Sequence, residues 1–209
     1  MTDSTERATP LADWGSRLAA ASDRPAAFSI REVPFASQVN VRGIAADAAF
    51  AGAVRGVLGC DVPVVANTWI SGNDCQVLWL GPDEWLVVAP DGRNEALCAA
   101  LRTGLQGVHH SVTDISANRT ILEVSGEYAR LVLAKGCPLD LHSAAFNGPQ
   151  CAQTLLAKSQ MILQSLGPAF RVFVRISFAP YMVEWLTDAA AELAASRDID
   201  TQRNALRLN

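Results

Sequence analysis

Apolar residues in this chain fall into short runs of two kinds, and their spacing predicts most of the elements. Phe28 to Val33 and Ser37 to Ile44 are β-type runs, the second with partial alternation at Val39, Val41 and Arg42. Asp47 then opens a stretch in which Phe50, Val54, Val57 and Leu58 share one helical face, and Gly59 closes it. Cys75 to Leu80 and Glu84 to Ala89 flank Gly81-Pro82-Asp83. Proline presets φ there and the small residues allow reversal, so a hairpin is predicted. Leu97, Leu101 and Leu105, spaced by four, place a helix over Asp91 to Leu105.

The second half runs in a similar order. Arg119 to Val124 reads as a strand, Ser125 as an N-cap, and Tyr128, Leu131 and Val132 as the apolar stripe of a helix that stops at Gly136. Gln153 to Lys158, Met161 to Leu166 and Phe170 to Ile176 are three further β-runs, separated by Ser159-Gln160 and Gly167-Pro168. Ser177 caps a last helix carrying Phe178, Tyr181, Met182, Trp185, Leu186 and Ala189. Val39-Asn40-Val41-Arg42-Gly43 and its helix parallel Leu122-Glu123-Val124-Ser125-Gly126 and its helix. The expected fold is α+β, with two related halves of antiparallel sheet and packed helices. The division is an arm over 1–25 with a helical pattern at Leu11, Trp14 and Leu18, halves over 26–112 and 113–195, and a loose polar tail over 196–209.

Composition narrows the partners. The chain has 209 residues, half of them hydrophobic, which is enough for a sizeable core. Seventeen Lys and Arg against 21 Asp and Glu give a net charge of −4, and the basic residues are scattered, which argues against nucleic acid. The opening residues carry acids and hydroxyls and no secretory pattern, and no apolar run reaches the length of a membrane span; a cytoplasmic protein is expected. Five cysteines without a CxxC pair read as free thiols.

The search for chemistry yields few candidates. GxSxG, GxxxxGK[ST], HExxH and strand-linked GxGxxG motifs are missing, and Gly52, Gly56 and Gly59 sit within or at the end of a helix, where they serve packing. His109 or His110 with Asp114 could form a base and its carboxylate, although adjacent strand residues face opposite ways. Asp83 and Glu84 are paired acids on the hairpin, where turn acids are usually solvated. Cys137 follows Lys135-Gly136; the ammonium favours a thiolate and the helix C-terminus opposes it. Cys137, Asp140, His142 and Cys151 form a loose group without zinc-type spacing. No residue is therefore assigned a catalytic, cofactor-binding or metal role.

Three longer runs resemble a known family. These are Lys135-Gly136-Cys137-Pro138-Leu139-Asp140-Leu141-His142 with Phe146, Gly148 and Cys151 to Lys158; Phe170 to Tyr181 with Trp185-Leu186; and Trp79-Leu80-Gly81-Pro82-Asp83-Glu84-Trp85-Leu86. Together they resemble the gamma subunits of heterotetrameric sarcosine oxidases, over roughly residues 26 to 192. The resemblance implies a fold similar to the folate-binding aminomethyltransferases and a non-catalytic chain docked through an apolar surface on the alpha chain, in a complex with alpha, beta and delta subunits. FAD, FMN, NAD and zinc would lie on those partners, in a complex that turns sarcosine into glycine and passes the one-carbon unit to tetrahydrofolate. Lys135-Gly136-Cys137 also resembles the KGC motif of folate-dependent proteins that support iron–sulfur enzymes. Those continue with a Gly-Gln-Glu element, where this chain has Pro138-Leu139-Asp140. Two alternatives stay open. One is a free-standing folate-binding or aminomethyl-transferring protein, using Glu123, Asp114 and Trp79 around a cavity; the other is a thiol enzyme built on Cys137.

Overall fold

The computed structural model describes residues 7–22 and 27–207; positions 1–6 and 23–26 of the predicted arm and 208–209 of the predicted tail lie outside the described residues. A 3₁₀ turn at Ala12–Trp14 leads into α1 (Gly15–Ala21). Then come β1 (Ser29–Val33), β2 (Ser37–Gly43), α2 (Ala48–Leu58), β3 (Trp69–Ser71), β4 (Gln76–Gly81), β5 (Glu84–Ala89), α3 (Asn94–Gly104) and β6 (His110–Asp114). The remainder is β7 (Arg119–Ser125), α4 (Ala129–Ala134), β8 (Cys151–Leu156), β9 (Ser159–Ser165), β10 (Phe170–Arg175) and α5 (Ala179–Arg207).

The strands form two five-stranded antiparallel sheets, ordered β3-β4-β5-β2-β6 and β1-β7-β10-β9-β8. Each sheet takes as an edge strand the one that directly precedes, in the chain, a strand of the other sheet. β1 precedes β2 in the chain yet pairs with β7, with Ile30 opposite Val124; β6 precedes β7 yet pairs with β2, with Val112 opposite Val41. The match continues on the other flank, where Trp85 of β5 lies opposite Val41 and Phe170 of β10 opposite Val124. Sheet membership therefore departs from chain order: β1 pairs into the sheet of β7, and β6 spans positions 112 and 113.

Period-two alternation sorts the side chains into three cores. Val39, Val41, Phe50, Val54, Trp85 and Leu101 fill the space between the first sheet and α2 and α3. Ile30, Leu122, Val124, Val132, Leu163 and Met182 do the same between the second sheet and α4 and α5. The inner faces meet through Leu78, Leu86, Val88, Ile121, Ile162 and Phe173. The sheets thus pack on each other with helices outside.

Local signals act as the sequence suggests at α2, where the Asp47 carboxylate accepts from the Ala49 amide at 2.8 Å and Gly59 takes the left-handed conformation, φ 71°. Elsewhere tertiary context intervenes. Ser125 does not cap α4; it ends β7, and Tyr128 stands at the helix N-cap. Ser159 and Gln160 lie inside β9, and the reversal falls at Ala157-Lys158, with Ala157 at φ 51°. A 3₁₀ turn at Ile176–Phe178 takes up Ser177, so α5 begins at Ala179. The backbone stays helical through Arg207 where a loose tail is predicted, because that stretch has no glycine or proline to break it. The arm docks on this chain's own core: Leu11 is 2% exposed, and Trp14 and Leu18 pack beside it. Ser22 Oγ donates to the Ile30 carbonyl and accepts from the Ile30 amide, both at 3.0 Å, which covers part of the β1 edge.

Candidate functional site

The structure separates most of the residues singled out in the sequence. His110 and Asp114 stand at opposite ends of β6, about 13 Å apart along an extended strand. The His110 ring Nδ1 lies 2.8 Å from the Val108 carbonyl. The Asp114 carboxylate accepts from the Ser116 hydroxyl at 2.6 Å, the Ser116 amide at 2.9 Å and Asn94 Nδ2 at 2.6 Å. Burial pushes its pKa up, and the Ser116 and Asn94 hydrogen bonds outweigh this, so it sits below the ordinary value. Asp114 therefore ties the end of β6 to the start of α3 and does not orient a base.

The hairpin acids are tied in the same way. Arg42 Nη2 reaches both Asp83 oxygens at 3.2 and 3.3 Å and Glu84 Oε2 at 3.7 Å, while Asn40 Nδ2 donates to Glu84 Oε1 at 2.8 Å. The pair clamps the β4–β5 turn onto β2.

The two thiols of the loose group lie on opposite faces of the second sheet. Cys137 is buried in the core under α4, with the Thr154 hydroxyl 3.9 Å from its Sγ. Lys135 is engaged elsewhere, donating to the Ala189 carbonyl at 2.6 Å and to Glu192 at 2.7 Å. Cys151 lies in the core between the sheets, donating to the Thr68 carbonyl at 3.3 Å and the Trp79 carbonyl at 3.5 Å. Burial pushes its thiol up to about 12, the wrong direction for a nucleophile. Asp140 and His142 bond locally to the His142 and Ala144 amides. Among the described residues no three His, Cys, Asp or Glu side chains come together as metal ligands.

Glu123 and Trp79 also part company. Trp79 packs on the helix side of the first sheet. Glu123, in register with Arg31 of β1 and Arg171 of β10, lies on the inner face of the second. Its Oε1 accepts from Arg31 at 2.5 and 2.9 Å and its Oε2 from Arg171 at 3.4 Å. Arg171 Nη1 and Gln164 Nε2 both donate to Gln76 Oε1 at 3.0 Å, which joins the sheets. No local sequence signal marks this network, because its members become neighbours only through strand pairing and sheet stacking.

Clefts among the described residues include one of about 590 Å³ against α1 and β1, lined by Leu11, Leu18 and Ile30, and two that share Arg119. The larger, about 960 Å³, opens where the β1–β2 and β6–β7 connections cross, against Phe35, Gln38, Asp114, Ser116 and Arg119. Gln38 is 1% exposed; its Nε2 donates to the Arg119 carbonyl at 2.8 Å, and its Oε1 has no partner among the described residues. The smaller, about 340 Å³, is lined by Arg119, Arg175, Gln153, Gln160 and Leu155. Neither gathers a nucleophile, a base and an oxyanion-stabilising group. Among the described residues no helix is long and apolar enough to cross a membrane.

Paired α+β halves of this kind place the chain among proteins with the aminomethyltransferase-like fold. The glycine cleavage system aminomethyltransferase T of Bartonella henselae matches it with a TM-score of 0.61 at 17% identity, over 81% of this chain and 48% of that one, a likeness of fold alone. Sequence carries the assignment further: the model of the sarcosine oxidase, gamma subunit family matches residues 42–192. The sarcosine oxidase subunit gamma of an Arthrobacter species is 40% identical over 171 residues, covering 81% of this chain and 83% of that one. That of Corynebacterium sp. strain U-96 is 38% identical over 202 residues, covering 94% and 96%. A chain in the structure of heterotetrameric sarcosine oxidase from Corynebacterium sp. U-96, in complex with pyrrole 2-carboxylate, superposes with a TM-score of 0.81 at 34% identity, over 89% of this chain and 95% of that one. The chain belongs to the sarcosine oxidase gamma subunit family.

Proposed function

We propose that this chain works as the non-catalytic gamma subunit of a cytoplasmic heterotetrameric sarcosine oxidase, held with alpha, beta and delta chains that carry FAD, FMN, NAD and zinc. In that complex the N-methyl carbon of sarcosine is oxidised, glycine is released, electrons pass through the flavins to oxygen, and the one-carbon unit goes to tetrahydrofolate. The observation that carries this reading is the near end-to-end correspondence with the strain U-96 gamma subunit, 94% of one chain on 96% of the other.

The engagement of the candidate acids supports it. Asp114, Glu123, Asp83 and Glu84 are each engaged in hydrogen bonds or ion pairs between elements, an arrangement suited to a stiff docking body. The free-standing folate reading needs Glu123 and Trp79 around one cavity, and they lie on different faces of different sheets.

The test is co-purification of the chain from its host at high salt, with an absorbance spectrum and an assay of sarcosine-dependent peroxide. The expected result is recovery with larger, flavin-coloured chains and activity. Recovery alone and colourless would overturn the subunit reading, and tetrahydrofolate titration would then follow.

A further inference from the structure

Arg119 and Arg175 are directly opposed, as Cα partners at one end of the β7–β10 pair. Like charges opposed in this way repel. Burial and the neighbouring Arg175 both lower the pKa of Arg119, with Glu84 opposing them. Glu84 is already occupied by Asn40 and Arg42, and among the described residues no carboxylate lines the cleft that holds the two arginines. Among the described residues neither guanidinium has a hydrogen bond or an ion pair, while Arg31, Arg42, Arg55 and Arg171 all do.

The surroundings are those of an uncovered interface. Arg119, Arg175, Gln160, Gln153 and Leu155 fall at alternate positions on the face of the second sheet that elsewhere packs against the first. At this end the face is open: Leu155 is 45% exposed, and Ile176 and Phe178, which follow Arg175, are 44% and 41% exposed. Exposed apolar side chains around arginines are the composition of an interface core. A cleft of about 340 Å³ has room for one or two side chains.

We infer that this corner is a docking site for an acidic segment of a partner subunit, whose carboxylate enters the cleft between Arg119 and Arg175 while apolar neighbours cover Leu155, Ile176 and Phe178. A planar guanidinium pairs a carboxylate with two parallel hydrogen bonds, and a second arginine beside it favours a carboxylate over a neutral group. The inference rests on the subunit reading above and adds to it the surface and the chemistry of the contact. Charge complementarity selects the occupant, since the chain as a whole carries −4 and this corner is cationic.

The experiment is co-expression of the whole complex with wild-type chain, Arg175→Glu, Arg175→Gln and Arg175→Lys, followed by tagged recovery across a sodium chloride series. Arg175 is exposed at a strand end, and circular dichroism checks that each variant folds. Arg175→Glu is expected to lower retention of the partner chains at least about tenfold, Arg175→Lys to keep most of it, and Arg175→Gln to flatten the salt dependence seen with wild type. Equal retention and equal salt dependence in all four would overturn the docking site and leave the subunit reading standing. Failure of wild type to bring down any partner would overturn both. Loss of a homodimer on charge reversal, with partner retention unchanged, would assign the face to a second copy of this chain and overturn the inference.

Discussion

Gly136 and Trp185 stand face to face: a β-carbon added at Gly136 would lie 2.6 Å from Cη2 and Cζ2 of the indole and 3.0 Å from the Ala157 amide nitrogen. The Gly136 carbonyl accepts from that amide at 3.0 Å, so the backbone has little freedom to retreat. Two of the runs that carry the family resemblance, one around Cys137 and one ending at Trp185, meet at this contact between the end of α4 and the start of α5.

Replacing Gly136 by alanine forces the indole or the β8–β9 turn to move. Gly136→Ala is expected to destabilise the chain by about 1–3 kcal/mol. Adding Trp185→Phe, which vacates the ring positions in conflict, should recover part of the loss. Urea unfolding followed by tryptophan fluorescence and ellipticity checks both, and a neutral Gly136→Ala would count against the close packing.

Glu123 balances two arginines of unequal burial, Arg31 with 63% of its side chain exposed and Arg171 with 22%. Glu123→Gln leaves the half-buried Arg171 without a counter-charge and should cost about 1–3 kcal/mol, whereas Arg31→Ala removes a mostly solvated partner and should cost less than about 1 kcal/mol. Denaturant midpoints of the two variants and their double mutant measure the difference.

Cys151 sets an alkaline limit. Burial raises its thiol from 9.0 to about 12, with a backbone contact at Trp79 opposing in part. The unfolded chain releases this proton near 9 and the folded chain holds it, so its contribution is complete below the unfolded value and is lost as pH rises through the folded one. Stability should fall by up to about 1.4 kcal/mol per pH unit within that window. Urea midpoints at pH 8, 9.5 and 11 should fall more steeply for wild type than for Cys151→Ala.

Asp114 acts at the acid end with the opposite sign. Its folded pKa lies below 3.8, so the stability it lends is present above that value and is lost as pH falls through the folded one. Asp114→Asn removes the titration and loosens the ties to Ser116 and Asn94, at a cost of about 1 kcal/mol near neutrality. Its acid unfolding curve should be less steep below pH 4 than that of wild type.

Much of the fold is legible where one segment carries its own signal. The Asp47 cap, the left-handed Gly59 and the Gly81-Pro82-Asp83 reversal act within a few residues, and the parallel between Val39–Gly43 and Leu122–Gly126 falls on β2 and β7, which hold matching places in the two sheets. β3 and β6 escape the reading because each is a short edge strand. At three residues β3 is too short for alternation to show, and Val112 is the one buried residue of β6. The candidate residues escape it for a related reason, since Asp114 with Asn94, and Glu123 with Arg31 and Arg171, are brought together by pairing across distant parts of the chain.

The sequence by itself determined the class of the fold, the duplicated order of elements and the family, because periodicity, capping residues and motif runs are properties of contiguous residues. Only the tertiary structure decided which sheet receives β1 and β6, that Leu11 and Trp14 are taken into this chain's own core, and that Arg119 and Arg175 end side by side. An edge strand goes where unpaired backbone groups and an uncovered apolar face await it. That choice depends on long-range geometry, which no local spacing of side chains encodes.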